Sequence, residues 1–175
     1  FPSLTEVDGA GTILADHVYA DNGTYTVTVT VTDDDGASTS DSFLVTANNA
    51  APVVNAGPDR TADEGERVTL SSLLGRGDNV IIGEDVPLLP TVSFTDAGTL
   101  DAHTATVDWG DGTALEEAAL SEFPFGPPGS TDGLTGFVLG EHVYADDGVY
   151  TVTVTVTDDD DGSHSDSFGI TVQNV

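Results

Sequence analysis

The sequence contains no cysteine, no methionine and one tryptophan, and it has only three basic residues against 31 acidic ones, for a formal net charge of −28. Without cysteine the chain can form no disulfide, thiolate metal site or thiol nucleophile, so any metal would take oxygen or imidazole ligands. A surface this negative repels phosphate backbones and anionic lipid. We therefore expect neither a nucleic-acid partner nor electrostatic membrane attachment.

Long apolar runs are missing as well, since no stretch approaches the 18 or so residues of a membrane-spanning helix. The sequence thus predicts no membrane insertion. The hydrophobic residues, 38% of the chain, concentrate in Val and Ile next to Thr, which is typical of folded β structure rather than disorder. The chain begins at Phe1 and shows no leader pattern, so we expect a piece of a longer or processed protein.

The sequence repeats itself. Residues 17–49 align without gaps on residues 142–174, at an offset of 125, with 24 of 33 positions identical. A period of that size matches a domain, not a solenoid repeat. We therefore divide the chain into copy one, residues 1–48, the second half of a module, and copy two, residues 49–175, a whole module.

Strand patterns dominate both copies. From Tyr25 to Val31, Tyr and Val alternate strictly with Thr, and residues 150–156 repeat the alternation. This period predicts a strand with one buried face in an antiparallel sheet. Residues 104–109 alternate in the same way, which directs Trp109 inward. Many short strands separated by Gly- and Asp-rich turns favour an all-β sandwich.

Each long strand is preceded by the motif D-x-G-x-Y, ending at Tyr25 in copy one and at Tyr150 in copy two. This spacing indicates a tyrosine corner, in which the phenol hydrogen-bonds to upstream backbone. His17 and His142 precede Val-Tyr in both copies, so a structural hydrogen bond at the strand start is the better interpretation than catalysis. We expect no enzymatic activity.

Several motifs together resemble the polycystic-kidney-disease-type (PKD) repeat. They are W-G-D-G at 109–112, H-V-Y at 142–144, G-V-Y at 148–150 and V-T-V-T-V-T-D at 152–158, with N-A-G-P-D at 55–59 and F-T-D-A-G at 94–98. The resemblance implies a seven-stranded immunoglobulin-like antiparallel β-sandwich that occurs in tandem in large extracellular proteins. It also implies that neighbouring repeats are partners and that the chain is secreted or at the cell surface.

The chain departs from this pattern in two places. Copy two has two candidate opening segments, so we expect an extra segment near residues 71–90. Copy one has no W-G-D-G half and cannot close a sandwich alone. Either the chain was cut inside a repeat, or another chain or the extra segment completes copy one.

Acidic residues cluster in the predicted turns, where like charges are unfavourable without a compensating cation, and hard oxygen ligands select Ca²⁺. No EF-hand loop fits the spacing, so a site would be assembled from separate loops. The resemblance carries a Ca²⁺ site at the joint between modules onto this chain, with a half-site in copy one; the alternative is a solvated acidic surface. The candidate ligands are Asn49, Asp96, Asp101, Asp158 and Asp159, with Asp33 and Asp34 in copy one.

Arg76-Gly77-Asp78 forms an RGD tripeptide, a possible adhesion motif with a cell-surface partner. The function that the sequence favours is a non-enzymatic extracellular spacer or adhesion module stiffened by Ca²⁺. The alternative is a carbohydrate- or protein-binding accessory module of a secreted hydrolase, with a glycan partner held near Phe123 and Phe125.

Overall fold

The computed structural model describes residues 3–7, 10–71, 91–124 and 133–175. These residues form strands and turns, and no helix among them is long and apolar enough to cross a membrane. The strands are β1 (Ser3–Val7), β2 (Ala10–Leu14), β3 (Gly23–Thr32), β4 (Ser38–Ala47), β5 (Val53–Asn55), β6 (Arg60–Asp63), β7 (Arg67–Thr69), β8 (Ser93–Asp96), β9 (His103–Asp108), β10 (Glu116–Pro124), β11 (Leu134–Leu139), β12 (Glu141–Val143), β13 (Gly148–Asp158) and β14 (Ser163–Gln173).

Copy two is a β-sandwich. Its strands follow the order β5-β8-β11-β10-β9-β13-β14-β6. Strand β10 changes partner halfway: residues 116–118 pair with β9, and residues 119–124 pair with β11. This change folds the ladder into two facing sheets that enclose one core. The all-β sandwich predicted from the sequence is confirmed.

The core follows the predicted alternation. In β13, Val152, Val154 and Val156 are fully buried, and the intervening Thr residues stay partly or fully exposed. Burying each Val side chain contributes roughly 1.5–3 kcal/mol. Trp109 lies in the same core at 1% exposure, and its indole N–H donates to Glu116 at 3.0 Å. The tryptophan is therefore a core residue, as expected.

One strand pair departs from the antiparallel expectation. Strand β6 runs parallel to β14, with Ile170 opposite Arg60 and Gln173 opposite Asp63. After β5 has paired with β8, the chain passes to the other sheet and reaches the free edge of β14 in the same direction as that strand. The other strand pairs in the described residues are antiparallel.

Copy one consists of two hairpins, β1–β2 and β3–β4. The second keeps the register of β13–β14 at the offset of 125: Gly23 faces Ala47 as Gly148 faces Val172. The first corresponds to β10–β11, because Leu4 faces Ile13 as Leu120 faces Val138. The described part of copy one thus matches four strands of copy two.

The candidate extra segment, near 71–90, lies almost wholly outside the described residues. At its two ends, the Ser71 hydroxyl donates to the carbonyl of Val92 at 3.1 Å and accepts its N–H at 3.0 Å. The N–H of Val92 also lies 3.2 Å from the carbonyl of Leu70. The chain therefore leaves and re-enters the sandwich at one point.

Candidate cation site at the joint between the copies

Three buried aspartates meet at one end of the sandwich of copy two. Asp96 ends β8, Asp158 ends β13, and Asp101 lies in the loop between β8 and β9. Their exposures are 5%, 5% and 9%, and one carboxylate oxygen from each lies within 4.8 Å of the others. Strands β8 and β13 belong to opposite sheets and end at the same edge, so residues far apart in sequence converge there.

Asp158 is held rigidly by the turn that follows it. Its Oδ1 accepts the backbone N–H groups of Asp160 at 3.0 Å and Gly162 at 2.7 Å, and its Oδ2 accepts the side-chain amide of Asn49 at 2.8 Å. Burial opposes ionisation, but these hydrogen bonds and the charge of His103 prevail and lower the pKa of Asp158. This carboxylate is therefore ionised at neutral pH.

Asp101 has the opposite environment. Its carboxylate packs over Gly98, where a Cβ atom would collide with it, and it accepts no hydrogen bond from the described residues. Burial, followed by the charges of Asp96, Asp21 and two further aspartates of the β13–β14 turn, raises the pKa of Asp101 to about 6. Among the described residues, this mostly buried carboxylate has other carboxylates as its neighbours and accepts no hydrogen bond.

Asp96 is linked to a buried histidine. Its Oδ1 accepts the N–H of Gly98 at 2.7 Å, and its Oδ2 lies 3.2 Å from Nε2 of His103. The other ring nitrogen of His103 lies 2.7 Å from Glu122, and the imidazole side chain is fully buried. Because both ring nitrogens face carboxylates, His103 acts as a structural link between β8, β9 and β10.

Copy one contributes to the same cluster. Carboxylate oxygens of Asp21, Asp101 and Asp160 also lie within 4.8 Å of one another. The N–H of Leu100 lies 3.4 Å from the carbonyl of Ala20, which bridges the two copies at this point. A cleft of about 110 Å³ lies between the copies, lined by residues 19, 21–22 and 47–48 of copy one and by residues 49–50, 97, 98 and 101 of copy two.

The structure brings together four of the residues predicted from the sequence, namely Asn49, Asp96, Asp101 and Asp158. Asp159 lies beside them and accepts the N–H of Ala102 at 3.0 Å, which ties the Asp101 loop to the β13–β14 turn. Sequence reasoning missed Asp21 and Asp160. Asp21 is the first residue of the D-x-G-x-Y motif, and the tyrosine corner already accounts for an aspartate there. For Asp160, the acidic run at 158–161 is the signal in the sequence that could have indicated a ligand.

Asp33 and Asp34 do not join this cluster. They lie in the exposed β3–β4 turn, where Asp33 accepts the N–H of Ala37 at 2.7 Å. At about 3.3 Å per residue, the ten residues of β3 separate this turn from Asp21 by roughly 30 Å. In the repeat alignment Asp33 is equivalent to Asp158. However, copy one has no described counterpart of the loop that carries Asp96 and Asp101.

The histidine motif has a structural role in copy two. His142 stacks on Trp109 with ring centroids 4.9 Å apart, and its Nε2 lies 2.8 Å from Asp111 of the W-G-D-G turn. Burial opposes ionisation of Asp111, but hydrogen bonds from Thr113, and then from His142, lower its pKa to about 2. Tyr144 donates its hydroxyl to the carbonyl of Trp109 at 2.9 Å. These contacts account for the W-G-D-G and H-x-Y motifs as one packed unit.

Both predicted tyrosine corners form. Tyr25 donates to the carbonyl of Asp21 at 2.9 Å, and Tyr150 donates to that of Asp146 at 3.1 Å.

The RGD tripeptide, Arg76, Gly77 and Asp78, lies outside the described residues, as does Phe125. Phe123 is 51% exposed on β10, with its ring 6.1 Å from that of Phe137.

Fold and site together define an immunoglobulin-like β-sandwich module with a buried acidic cluster where a second copy joins it. The family model of the PKD domain matches residues 7–47 and 75–172, which is more than half of the chain. The chain therefore belongs to the PKD domain family, whose members are typically non-catalytic accessory modules of extracellular proteins. The sequence-based assignment to this family is confirmed.

Among solved structures, the chain is similar to the PKD domain of an M14-like peptidase from the Thermoplasmatales archaeon SCGC AB-540-F20. The identity is 18%, the match covers 71% of this chain and 98% of that one, and the TM-score is 0.38. It is also similar to zebrafish RET cadherin-like domains 1 to 4. The identity is 14%, the match covers 93% of this chain and 36% of that one, and the TM-score is 0.44. A comparison with curated proteins found no match.

Proposed function

We propose that the chain is an extracellular spacer module in which Ca²⁺ binds at the joint between the copies and stiffens one copy against the other. The observation that carries this proposal is the convergence of carboxylates on Asp101, which accepts no hydrogen bond from the described residues. Asp101 faces Asp96 and Asp158 from copy two and Asp21 from copy one.

The side chains present fit Ca²⁺. Ca²⁺ takes six to eight oxygen ligands, and this cluster supplies carboxylates from separate loops, with a single imidazole nearby that is already paired. Several buried carboxylates at this spacing repel one another and lose hydration, which a divalent cation offsets. Affinities of ~10⁻⁴–10⁻³ M are usual for extracellular Ca²⁺ modules.

The position of the site explains why a bound cation would stiffen the chain. Asp101 belongs to both groups of three aspartates, one within copy two and one that includes Asp21. Among the described residues, one long hydrogen bond joins the copies at this point, from the N–H of Leu100 to the carbonyl of Ala20. A cation shared by both groups would add strong, directional contacts across an otherwise weak joint.

The surface of the sandwich suits a spacer. The outward-facing Thr residues of β13 present hydroxyls to solvent, while the Val residues form the core. Thr155 bonds across the hairpin to Ser165 at 2.7 Å, as Thr30 does to Ser40 at 2.8 Å in copy one. His103 and His142 are both paired with carboxylates inside the fold. These features favour a mechanical role over a catalytic one.

The test is a distance measurement across the joint. Because the chain has no cysteine, Thr28→Cys and Thr171→Cys introduce two unique sites for spin labels on exposed positions of β3 and β14. Double electron–electron resonance between the two labels should give a broad distance distribution in the presence of a chelator and a narrow one in 5 mM CaCl₂.

The matched control is the same labelled chain with Asp101→Asn, in which Ca²⁺ should leave the distribution broad. In the Asp33→Asn variant, changed in the distant β3–β4 turn, Ca²⁺ should narrow the distance distribution as it does in the wild type. A wild-type distribution that does not change with Ca²⁺ would contradict stiffening. If Ca²⁺ still narrows the distribution of the Asp101→Asn variant, the ion does not bind at this site.

A further inference from the structure

Arg60 carries two buried hydrogen-bond donors that the rest of the sandwich does not use. Its Nη1 donates to the carbonyl of Thr69 at 2.8 Å, whereas Nε and Nη2 are buried and have no partner in the described part of the chain. Buried donors of a charged group lose their hydration without compensation unless an acceptor reaches them. Burial accordingly lowers the pKa of Arg60. The two atoms therefore have an unused capacity to donate to an anion.

Nε and Nη2 form one edge of the planar guanidinium. Their N–H bonds run nearly parallel, and this spacing matches the two oxygens of a carboxylate. One face of the guanidinium lies on the ring of Phe168, with the central carbon of Arg60 4.0 Å from the ring centroid. Phe168 is itself anchored in the core at 2% exposure. The ring therefore supports the guanidinium from below and leaves its edge for a planar anion.

Arg60 lines a cleft of about 320 Å³ between β6 and β7, at the edge of the sandwich of copy two. Arg67 lines the same cleft, so two of the three basic residues of the chain meet there. Arg67 is already paired with Glu141 at 2.8 Å. Apolar residues and threonines form most of the remaining wall, namely Thr61, Ala62, Val68, Thr69 and Ile170. A cleft of this size and mixed lining can hold a ligand as large as one sugar residue.

The two acidic residues of the cleft have other partners. Oδ1 of Asp59 accepts the N–H of Gly169 at 2.7 Å, and Oε2 of Glu66 accepts the N–H of Asp63 at 3.0 Å. Among the residues that the structure describes, neither carboxylate bonds to Nε or Nη2 of Arg60. Their charges also disfavour a ligand with several negative charges. The cleft is therefore suited to a monoanion.

We propose that this cleft binds the carboxylate of a sugar acid, a uronate, through the Nε–Nη2 edge of Arg60. The carboxylate would accept two charge-assisted hydrogen bonds, and the sugar ring would lie between the apolar wall and the threonine hydroxyls. Because both donors are buried, the flexible Arg60 side chain has to rotate toward the cleft that it lines. This rotation sacrifices one hydrogen bond, from Nη1 to Thr69.

This site is distinct from the acidic cluster at the joint between the copies. Arg60 lies opposite Ile170 of β14, whereas the β13–β14 turn at the joint immediately precedes Ser163. At about 3.3 Å per residue, the stretch from Ser163 to Ile170 separates the two places by roughly 20 Å. Uronate binding should therefore need no Ca²⁺.

The test follows the arginine side chains by nuclear magnetic resonance in EDTA. The chain has three arginines, so few Nε–H signals are present, and an Arg60→Lys variant identifies the signal of Arg60. Sodium glucuronate should shift this signal downfield and saturate in the millimolar range. Glucose, which has the same ring without the carboxylate, should leave the signal in place. Sodium sulfate at equal ionic strength should bind at least about tenfold more weakly, because it is a tetrahedral dianion.

Two variants separate the shape of the guanidinium from its charge. Arg60→Lys keeps the positive charge but loses the two parallel donors, and it should weaken glucuronate binding at least about tenfold, measured at the backbone amides of β6 and β7. Asp59→Asn keeps an acceptor for the N–H of Gly169 and removes a repelling charge. It should tighten glucuronate binding about two- to threefold.

The proposal is overturned if glucuronate leaves the Nε–H signal of Arg60 in place at tens of millimolar, or if glucose or sulfate shifts it as readily. It is equally overturned if Arg60→Lys binds glucuronate as tightly as the wild type. The ligand comparison uses the intact wild-type chain, and after Arg67→Lys and Arg76→Lys have assigned the other two signals it decides the proposal even if Arg60→Lys does not fold.

Discussion

The hairpins β3–β4 and β13–β14 are equivalent elements of the two copies and have nearly the same sequence. They share their register, their tyrosine corner and their cross-strand Thr–Ser bond. They differ in burial: Phe168 is 2% exposed, and its counterpart Phe43 is 55% exposed. Local sequence thus determines the hairpin, and strands from elsewhere in the chain determine whether it has a core.

The same difference separates the two acidic turns. Asp158 and Asp33 occupy equivalent positions, but within the described part of the chain only Asp158 meets a loop that carries further carboxylates. The run of aspartates is therefore not sufficient for a cation site. The loop between β8 and β9 and the neighbouring copy supply what the turn lacks.

The largest expected effect comes from removing the aromatic residue that only copy two possesses. Trp109→Ala leaves a large cavity in the core and removes the stacking partner of His142. We expect the free energy of unfolding of copy two to fall by about 3–5 kcal/mol, measured by urea denaturation. The resonances of β3–β4 should stay unchanged. A loss below about 1 kcal/mol would show that Trp109 is not central to the core.

A matched pair of valines tests the comparison next. Val154→Ala removes buried methyl groups from copy two, and we expect a loss of about 2 kcal/mol. Val29→Ala is the same change at the equivalent, partly exposed position, and we expect a loss below about 1 kcal/mol. Equal losses in chemical denaturation would mean that copy one has a covered core after all.

The two histidines provide a smaller contrast. His142→Asn removes the ring stacked on Trp109 and the hydrogen bond to Asp111, for a loss of about 1–2 kcal/mol. Among the described residues, His17 has no such ring or carboxylate partner, so His17→Asn should change the free energy of unfolding by less than about 0.5 kcal/mol. Thermal melts of the two variants side by side measure the difference, and a reversed order would refute the structural role of the motif.

The smallest effect is a pH dependence in chelator. The folded chain holds the Asp101 proton up to about pH 6, whereas the ordinary pKa is 3.8. Stability from this group is therefore present below pH 4 and lost as the pH rises through 6. Because the site borders solvent, we expect about 1 kcal/mol between pH 4.5 and 7. Asp101→Asn should flatten this slope in melting curves, and a flat slope in the wild type would contradict the environment of Asp101.

Much of the fold could be predicted because it is encoded locally. Strict Thr–Val alternation specified both faces of β13, and the D-x-G-x-Y spacing specified both corners. The convergence of Asp96, Asp101 and Asp158 also followed from the family pattern, since these loops share one end of the sandwich.

Other features depend on long-range placement and left no local signal. Asp21 joins the cluster only because copy one docks where it does, and β6 runs parallel to β14 because of a crossover between sheets. The family resemblance implies a half-site at Asp33 and Asp34, but copy one repeats the turn without repeating the neighbours that Asp158 has.

The most direct test of the account compares melting temperatures of the wild type and Asp101→Asn at pH 7.5, in EDTA and in 5 mM CaCl₂, with Asp33→Asn as the matched control. Asp101→Asn removes a repelled carboxylate and should stabilise the chain in EDTA. In CaCl₂ the variant should not bind the cation and should melt at a lower temperature than the wild type. Ca²⁺ binding should raise the free energy of unfolding of the wild type by about 1–2 kcal/mol. Asp33→Asn should follow the wild type in both buffers. Identical melting of the wild type with and without Ca²⁺ would contradict the cation site.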